Sequence, residues 1–152
     1  MIPLSEKPGD YDWGCAYAAA YPIVLGDEIR IYYGASNGTH NGWRDGFLAL
    51  AQLRPDGWAG YVPRDEDQAA VVVTRPVKCN APTLRLTANV RAGGSVKATI
   101  LDAAGKTLVV GRTLTASETD AVVADVARQR GQAVRVRFDI EQATLYAFGF
   151  GP

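Results

Sequence analysis

Histidine and methionine each occur once in this chain, and cysteine twice. One histidine and two distant cysteines, Cys15 and Cys79, supply no ligand set for zinc, so no metal is expected. The cysteines sit in no CxxC or Cys/His arrangement. They read as two unpaired, largely buried thiols, with a single disulfide as the alternative. Neither sign of charge is in excess: 16 basic residues face 16 acidic ones. A general nucleic-acid binder needs a basic surplus to release counterions, so no nucleic-acid partner is expected. No apolar run approaches the ~20 residues of a membrane helix, so no membrane partner is expected either. The start, MIPLSEKPGD, has no basic segment leading into an apolar core. No secretory signal is expected there, and a complete chain would be cytoplasmic. Dinucleotide, phosphate-loop, nucleophile-elbow, zinc-protease and calcium-loop patterns are all missing, and no cofactor is expected.

The 152 residues are 47% hydrophobic and 21% charged, enough for one full core or two small ones. The stretch from Ile23 to Tyr61 holds three apolar runs separated by turn signals, the pattern of an antiparallel meander. Ile23–Leu25 and Glu28–Gly34 form a hairpin around Gly26-Asp27. Ile29, Ile31 and Tyr33 then share one face, and Arg30 and Tyr32 the other. Gly46–Leu53 is apolar on both faces and is expected to be covered on both. Pro55-Asp56-Gly57 predicts a type I turn with a glycine bulge, after which Trp58–Val62 completes the meander. Upstream, residues 1–12 read as an extended arm. Cys15–Tyr21 suits either a short helix or an extended segment of small side chains.

The polar run Pro63–Gln68 reads as a linker, giving a meander over 1–62 and a second domain over 69–152. In that domain Ala70–Thr74 is a β-branched run. Thr83–Arg91 alternates strictly, with Leu84, Leu86, Ala88 and Val90 facing in. Ser95–Asp102 repeats the pattern with Val96, Ala98 and Ile100. Ala103–Lys106 is a hairpin turn, and Thr107–Thr115 and Thr119–Ala124 are further strands. Asp125–Arg130 suggests one helical turn stopped by Gly131. Ala133–Ile140 alternates again and Thr144–Phe150 closes the chain. The expected fold class is all-β: an antiparallel β-meander docked on a β-sandwich.

Three side-chain clusters invite a functional reading. His40, Trp43, Arg44 and Asp45 share one loop, with Tyr32 or Tyr33 at the adjoining strand end. Aromatic faces stack on sugar C–H faces while Arg and Asp bond hydroxyls, a mix that suits a saccharide. The competing reading has Trp43 capping the core and Arg44-Asp45 as a loop ion pair. Asp10, Asp12 and Trp13 place two carboxylates beside an aromatic. On an extended strand these carboxylates would lie ~7 Å apart on one face, a spacing open to acid/base chemistry. Turn-forming aspartates are the alternative. Arg85, Arg91, Arg135 and Arg137 form an outward stripe, read as a solvated sheet face.

GDYDWGCAYAAAYPIVLGDEIRIYYGASNGTHNGWRDGFLALAQLRPDGWAGY resembles the last-blade region of five-bladed β-propeller glycosidases of the invertase- and arabinanase-like group. LRLTANVRAGGSVKATILDAAGK and GQAVRVRFDIEQATLYAFGF resemble early and closing strands of the β-sandwich that follows the propeller in invertase-like members. That family takes its three catalytic carboxylates from Asn-Asp-Pro-Asn, Arg-Asp-Pro and Glu-Cys motifs in earlier blades. None occurs here, and Arg44-Asp45-Gly46 lacks the proline, so no catalytic residue carries over. The resemblance implies that Asp12, His40, Trp43, Arg44 and Asp45 take positions that line a pocket. With Trp13 and Tyr33 they make the expected ligand-binding set. The function expected is a non-catalytic carbohydrate-binding or accessory module with a saccharide ligand. A glycoside hydrolase completed by oligomerisation and a structural self-association domain are the alternatives. Two apolar faces on one strand also lead to an expected homodimer through residues 23–62.

Overall fold

The computed structural model describes residues 2–65 and 68–152. Glu66 and Asp67, inside the expected linker, lie outside the described residues, as does Met1. The fold is all-β with antiparallel pairing throughout. One 3₁₀ turn, Ala127–Gln129, stands where the helical turn is predicted, and Gly131 follows it at φ +86°. The chain divides into two compact units, Met1–Trp58 and Ala59–Pro152.

The amino-terminal unit is a single sheet of β1 (Cys15–Ala18), β2 (Ile23–Leu25), β3 (Glu28–Ser36) and β4 (Gly46–Leu53). β3 is its centre. β4 pairs along one side of β3, while β2 and β1 pair in turn with the first and second halves of the other side. Cys15–Ala18 is therefore extended, and Pro22 cannot donate to a ladder, so the chain breaks between β1 and β2. Gly26 turns the β2–β3 hairpin at φ +57°, which a glycine adopts without a Cβ clash. Alternation puts Ile29, Ile31, Tyr33 and Ala35 on one face; Ile29, Tyr33 and Ala35 are buried there. Across the ladder the same face receives Ala16, Ala18, Ala49, Ala51 and Leu53.

Three expectations change here. β4 is not covered on both faces: Leu48 is 81% exposed and Leu50 43%. Apolar side chains on both faces record what the strand tolerates, and the described residues of its own unit form no second layer over Leu48. The turn after β4 forms, with Gly57 N–H donating to Arg54 O at 3.1 Å, but the left-handed residue is Asp56 at φ +62°. A Cβ on Gly57 would lie 2.9 Å from Arg54 O, so close approach is what requires glycine there. Among the described residues no further strand joins this sheet after β4. Trp58 lies outside any strand, and Tyr61 exchanges hydrogen bonds of 2.8 and 3.0 Å with Leu145 of the carboxy-terminal unit.

That unit is built on two 19-residue strands, β7 (Thr83–Leu101) and β10 (Ala133–Gly151), paired along nearly their whole length. β5 (Ala70–Val73) and β6 (Val77–Lys78) pair with the first half of β10. β8 (Thr107–Leu114) pairs with the second half of β7, and β9 (Glu118–Asp125) with its first half. Thr83–Arg91 and Ser95–Asp102, separate in the sequence reading, are one strand. So are Ala133–Ile140 and Thr144–Phe150. Both long strands bend at the same level, where Gly93 takes φ +80° and Gln142 φ +42°. Between the paired residues Val90↔Ala143 and Ser95↔Glu141, β7 carries extra residues opposite the lone Gln142. Gly94 sits against that bulge, where a Cβ would lie 2.5 Å from Gln142 O and 2.7 Å from Glu141 O. Bulges of this kind bend a strand without ending it. Leu84, Leu86, Ala88, Val96, Ala98 and Ile100 of β7 enter one core with Val134, Val136, Phe138 and Ile140 of β10.

The arginine stripe is internally engaged. Arg85 bonds the Asp120 carboxylate and backbone carbonyl, both at 2.9 Å. Arg137 pairs with Asp139, and Arg135 Nε donates to Thr74 O at 3.3 Å. Both cysteines are free thiols; Cys79 is buried, and that burial pushes its thiol pKa up.

Candidate functional site

The loop between β3 and β4 is closed at its base by a reciprocal clamp. Asp45 N–H donates to Asn37 Oδ1 at 2.9 Å, and Asn37 Nδ2 donates to Asp45 Oδ2 at 3.0 Å. Inside the loop, Arg44 Nη1 donates to the carbonyls of His40 at 2.5 Å and Thr39 at 3.4 Å. Arg44 and Asp45 are thus held by loop groups. Trp43 is 96% exposed and does not cap the core.

β1 anchors this loop from the other side. Gly14 N–H donates to Ser36 O at 2.8 Å, and the Gly14 backbone lies so close to Gly38 that no side chain fits between them. The Cys15 thiol approaches Gly38 O at 3.7 Å. Two residues on, Tyr17 places its hydroxyl 2.7 Å from His40 Nδ1, with the rings 6.2 Å apart. Tyr17 also shares a side-chain hydrogen bond with Cys15. That bond, with some burial, raises its phenol above the ordinary pKa. Across the sheet Tyr17 pairs with Gly34, and Gly34 with Leu48. The floor between Tyr17 and Leu48 therefore has no side chain.

The other expected site residues lie elsewhere. Tyr33 pairs with Ala18, one step from Tyr17, so alternation points it to the opposite face. Its hydroxyl donates to the buried Asp12 carboxylate at 3.4 Å. Asp10 and Asp12 are in turns, not on an extended strand: Trp13 N–H donates to Asp10 O at 3.1 Å. Asp10 accepts from Ser5 Oγ at 2.7 Å and pairs with Lys7 at 3.6 Å. Trp13 is half-buried. Six of the seven expected residues form two groups, His40, Trp43, Arg44 and Asp45 on the loop and Asp12 with Tyr33 on the inner face; Trp13 belongs to neither. The sequence reading missed Tyr17. Its signal was the extended option for Cys15–Tyr21, which places alternate residues of that run on the loop's face.

The inner face holds an apolar concavity of about 350 Å³ lined by Ala16, Ala18, Ile31, Tyr33, Leu53 and Trp58, among others. Its one hydroxyl, on Tyr33, is engaged by Asp12, so it offers little to orient a sugar. A hydrogen bond with Tyr11, burial and the nearby Asp12 charge push the Tyr33 phenol up to about 12. An unfolded tyrosine ionises near pH ~10. The neutral phenol therefore contributes stability that is complete below pH ~10 and is lost as pH rises toward about 12. A phenolate absorbance titration should show one of the seven tyrosines ionising close to pH 12, later than the bulk. Tyr33→Phe should remove that late step, and an unchanged titration curve would contradict the assignment.

No family model, curated protein or solved structure matches this chain.

Proposed function

We propose that the chain is a non-catalytic saccharide-binding module, related to the glycosidases whose last blade and sandwich its sequence resembles. The site is the loop end of the amino-terminal sheet, where Tyr17, His40, Trp43 and Arg44 lie. The observation that carries this reading is the exposed, fully accessible Trp43 on the same clamped loop as the Tyr17–His40 pair. A free indole stacks on the C–H face of a pyranose or furanose ring, and the polar groups beside it bond hydroxyls. The carboxylates support the non-catalytic reading: Asp12 is buried against Tyr33, Asp10 pairs with Lys7, and Asp45 is clamped by Asn37.

An open site of this kind supports roughly millimolar to micromolar affinity. Titrating fructan, arabinan and mannan oligosaccharides against tryptophan emission should give a saturable response at such concentrations, with the glycans recovered intact. Trp43→Ala should weaken it at least ~10-fold. No response from any glycan, or one that Trp43→Ala leaves alone, sinks the binding reading; hydrolysis sinks the non-catalytic one.

A structural self-association role is the second reading. It is favoured by the apolar outer face of the same sheet, where Tyr17, Ile23, Leu25, Leu48 and Leu50 are each more than 40% exposed.

A further inference from the structure

β4 is the bare border of the amino-terminal sheet. Among the described residues it pairs with β3 only, so its other side presents a row of unpaired backbone donors and acceptors. Such borders are normally protected by shortness, charge, proline or a bulge. The opposite border of this sheet has these devices. It is split into strands of 4 and 3 residues, with Pro22 at the break. In the other unit, β8 carries Arg112 paired with Glu118, and β9 carries Asp120 at φ +51°. β4 has none of them. It runs 8 residues, GFLALAQL, without a charge or a proline, and with regular pairing along its length to β3. Its side chains are also open: Phe47 40%, Leu48 81% and Leu50 43% exposed.

We propose that two copies of this chain join edge to edge through β4, antiparallel, into one continuous sheet. A two-fold axis perpendicular to the sheet keeps each face on its own side, so a residue meets a partner of the same parity. The register centred on Ala49 is self-complementary. It sets Leu48 opposite Leu50 of the other copy, twice, on the outer face. On the inner face it sets Phe47 opposite Ala51, twice, a large side chain against a small one. Gly46 and Gln52 meet at the ends. A homotypic partner is favoured because the same seven residues, 46–52, supply both halves of every pair and bring no like charges together. Leu48 and Leu50 of the two copies then pack side by side across the junction on the outer face. This inference rests on the border of the sheet, not on the saccharide site, and stands or falls separately from it.

Sedimentation velocity on the full chain decides it, with far-UV circular dichroism to establish that each variant is folded. The parent should sediment as a species of twice 16.3 kDa at tens of micromolar. Leu48→Lys with Leu50→Lys sets lysine against lysine across the junction and should weaken association at least ~30-fold. Leu48→Lys with Leu50→Glu sets lysine against glutamate in the Ala49-centred register and should stay within ~10-fold of the parent. A parent that is monomeric throughout overturns the proposal. So does a double-lysine variant that still dimerises, which would put the interface elsewhere. A lysine–glutamate variant as weak as the double lysine overturns the edge register and leaves face-to-face stacking or a Leu50-centred pairing as the explanation.

Discussion

Gly14→Ala is expected to unfold the amino-terminal sheet. A Cβ at this position would lie 1.9 Å from Gly38 O, 2.2 Å from its carbonyl carbon and 2.8 Å from its Cα. All three atoms are backbone, so no side chain can rotate aside. Gly14 N–H is also bonded to Ser36 O at 2.8 Å, immediately before β1 begins to pair with β3. Relieving the clash requires β1 to leave β3 or the Asn37–Asp45 loop to be pushed away, and either separates Tyr17 from His40. Overpacking a well-fitted site costs ~1–3 kcal/mol when neighbours can relax, and a rigid backbone neighbour puts this case at about 3 kcal/mol or more. The chain's three tryptophans, Trp13, Trp43 and Trp58, all lie in Met1–Trp58, so their emission reports this unit directly. Urea unfolding followed by tryptophan emission should show the transition shifted far down or already complete without denaturant. A midpoint that stays within the equivalent of ~0.5 kcal/mol would mean that the close approach of the two glycines is wrong.

Phe138→Ala should be the most costly single truncation in the carboxy-terminal unit. Phe138 is 1% exposed and is the largest of the fully buried side chains. Its ring centroid lies 5.1 Å from that of Phe148, tilted by 54°, within the range of favourable aromatic pairs. It sits on the half of β10 that β5 and β7 flank on both sides, so the surrounding backbone is held by two ladders and cannot collapse far into the vacancy. Phenylalanine-to-alanine changes at such sites cost ~3–5 kcal/mol. Thermal unfolding followed by far-UV circular dichroism should show the loss, with Phe138→Leu retaining most of the stability. A loss under ~1 kcal/mol would place this ring outside the core.

Where alternation was clean, the fold was legible. Leu84, Leu86, Ala88, Val90, Val96, Ala98 and Ile100 were expected to face inward; all but Val90 are buried, and Val90 packs half-buried against the same core. What the sequence hid was that they belong to one strand. Gly93-Gly94 breaks the apolar pattern just as a hairpin turn would. Only its partner, the bulge at Gln142 some fifty residues downstream, makes it a bend, and local periodicity carries no information about that partner. β4 shows the opposite limit. Its double-sided apolarity was visible, but apolarity states a preference for cover and does not supply the layer that provides it. The site was half legible. Neighbours in sequence, His40 to Asp45, stay neighbours on a loop. Tyr33 and Asp12 part from them because alternation sends Tyr33 through the sheet, and Tyr17 joins from β1 because antiparallel pairing brings it alongside Gly34. Neither step can be taken without the register of β1 on β3.

The bend shared by β7 and β10 also sets an arithmetic for how this fold can change length. Inward positions on β7 are even-numbered both before Arg91 and after Gly94, so the residues looped out there preserve the phase of the strand. On β10 the inward set is even through Ile140 and odd at Ala143 and Leu145, so the single residue Gln142 reverses it. Removing or adding one residue within Arg91–Gly94 would turn Lys97 and Thr99 toward the core in place of Val96 and Ala98, whereas a change of two would leave every downstream side chain on its own face. Gln142 has the reverse status: deleting it removes the bulge but leaves Ala143 and Leu145 inward, where strict alternation from Ile140 would place them, whereas deleting a second residue would turn Thr144 and Tyr146 inward. Length variation at this level therefore preserves the faces when it comes in pairs on β7, and when it is the loss of the single residue Gln142 on β10. The bend is a parity constraint written into the chain as well as a turn in its path.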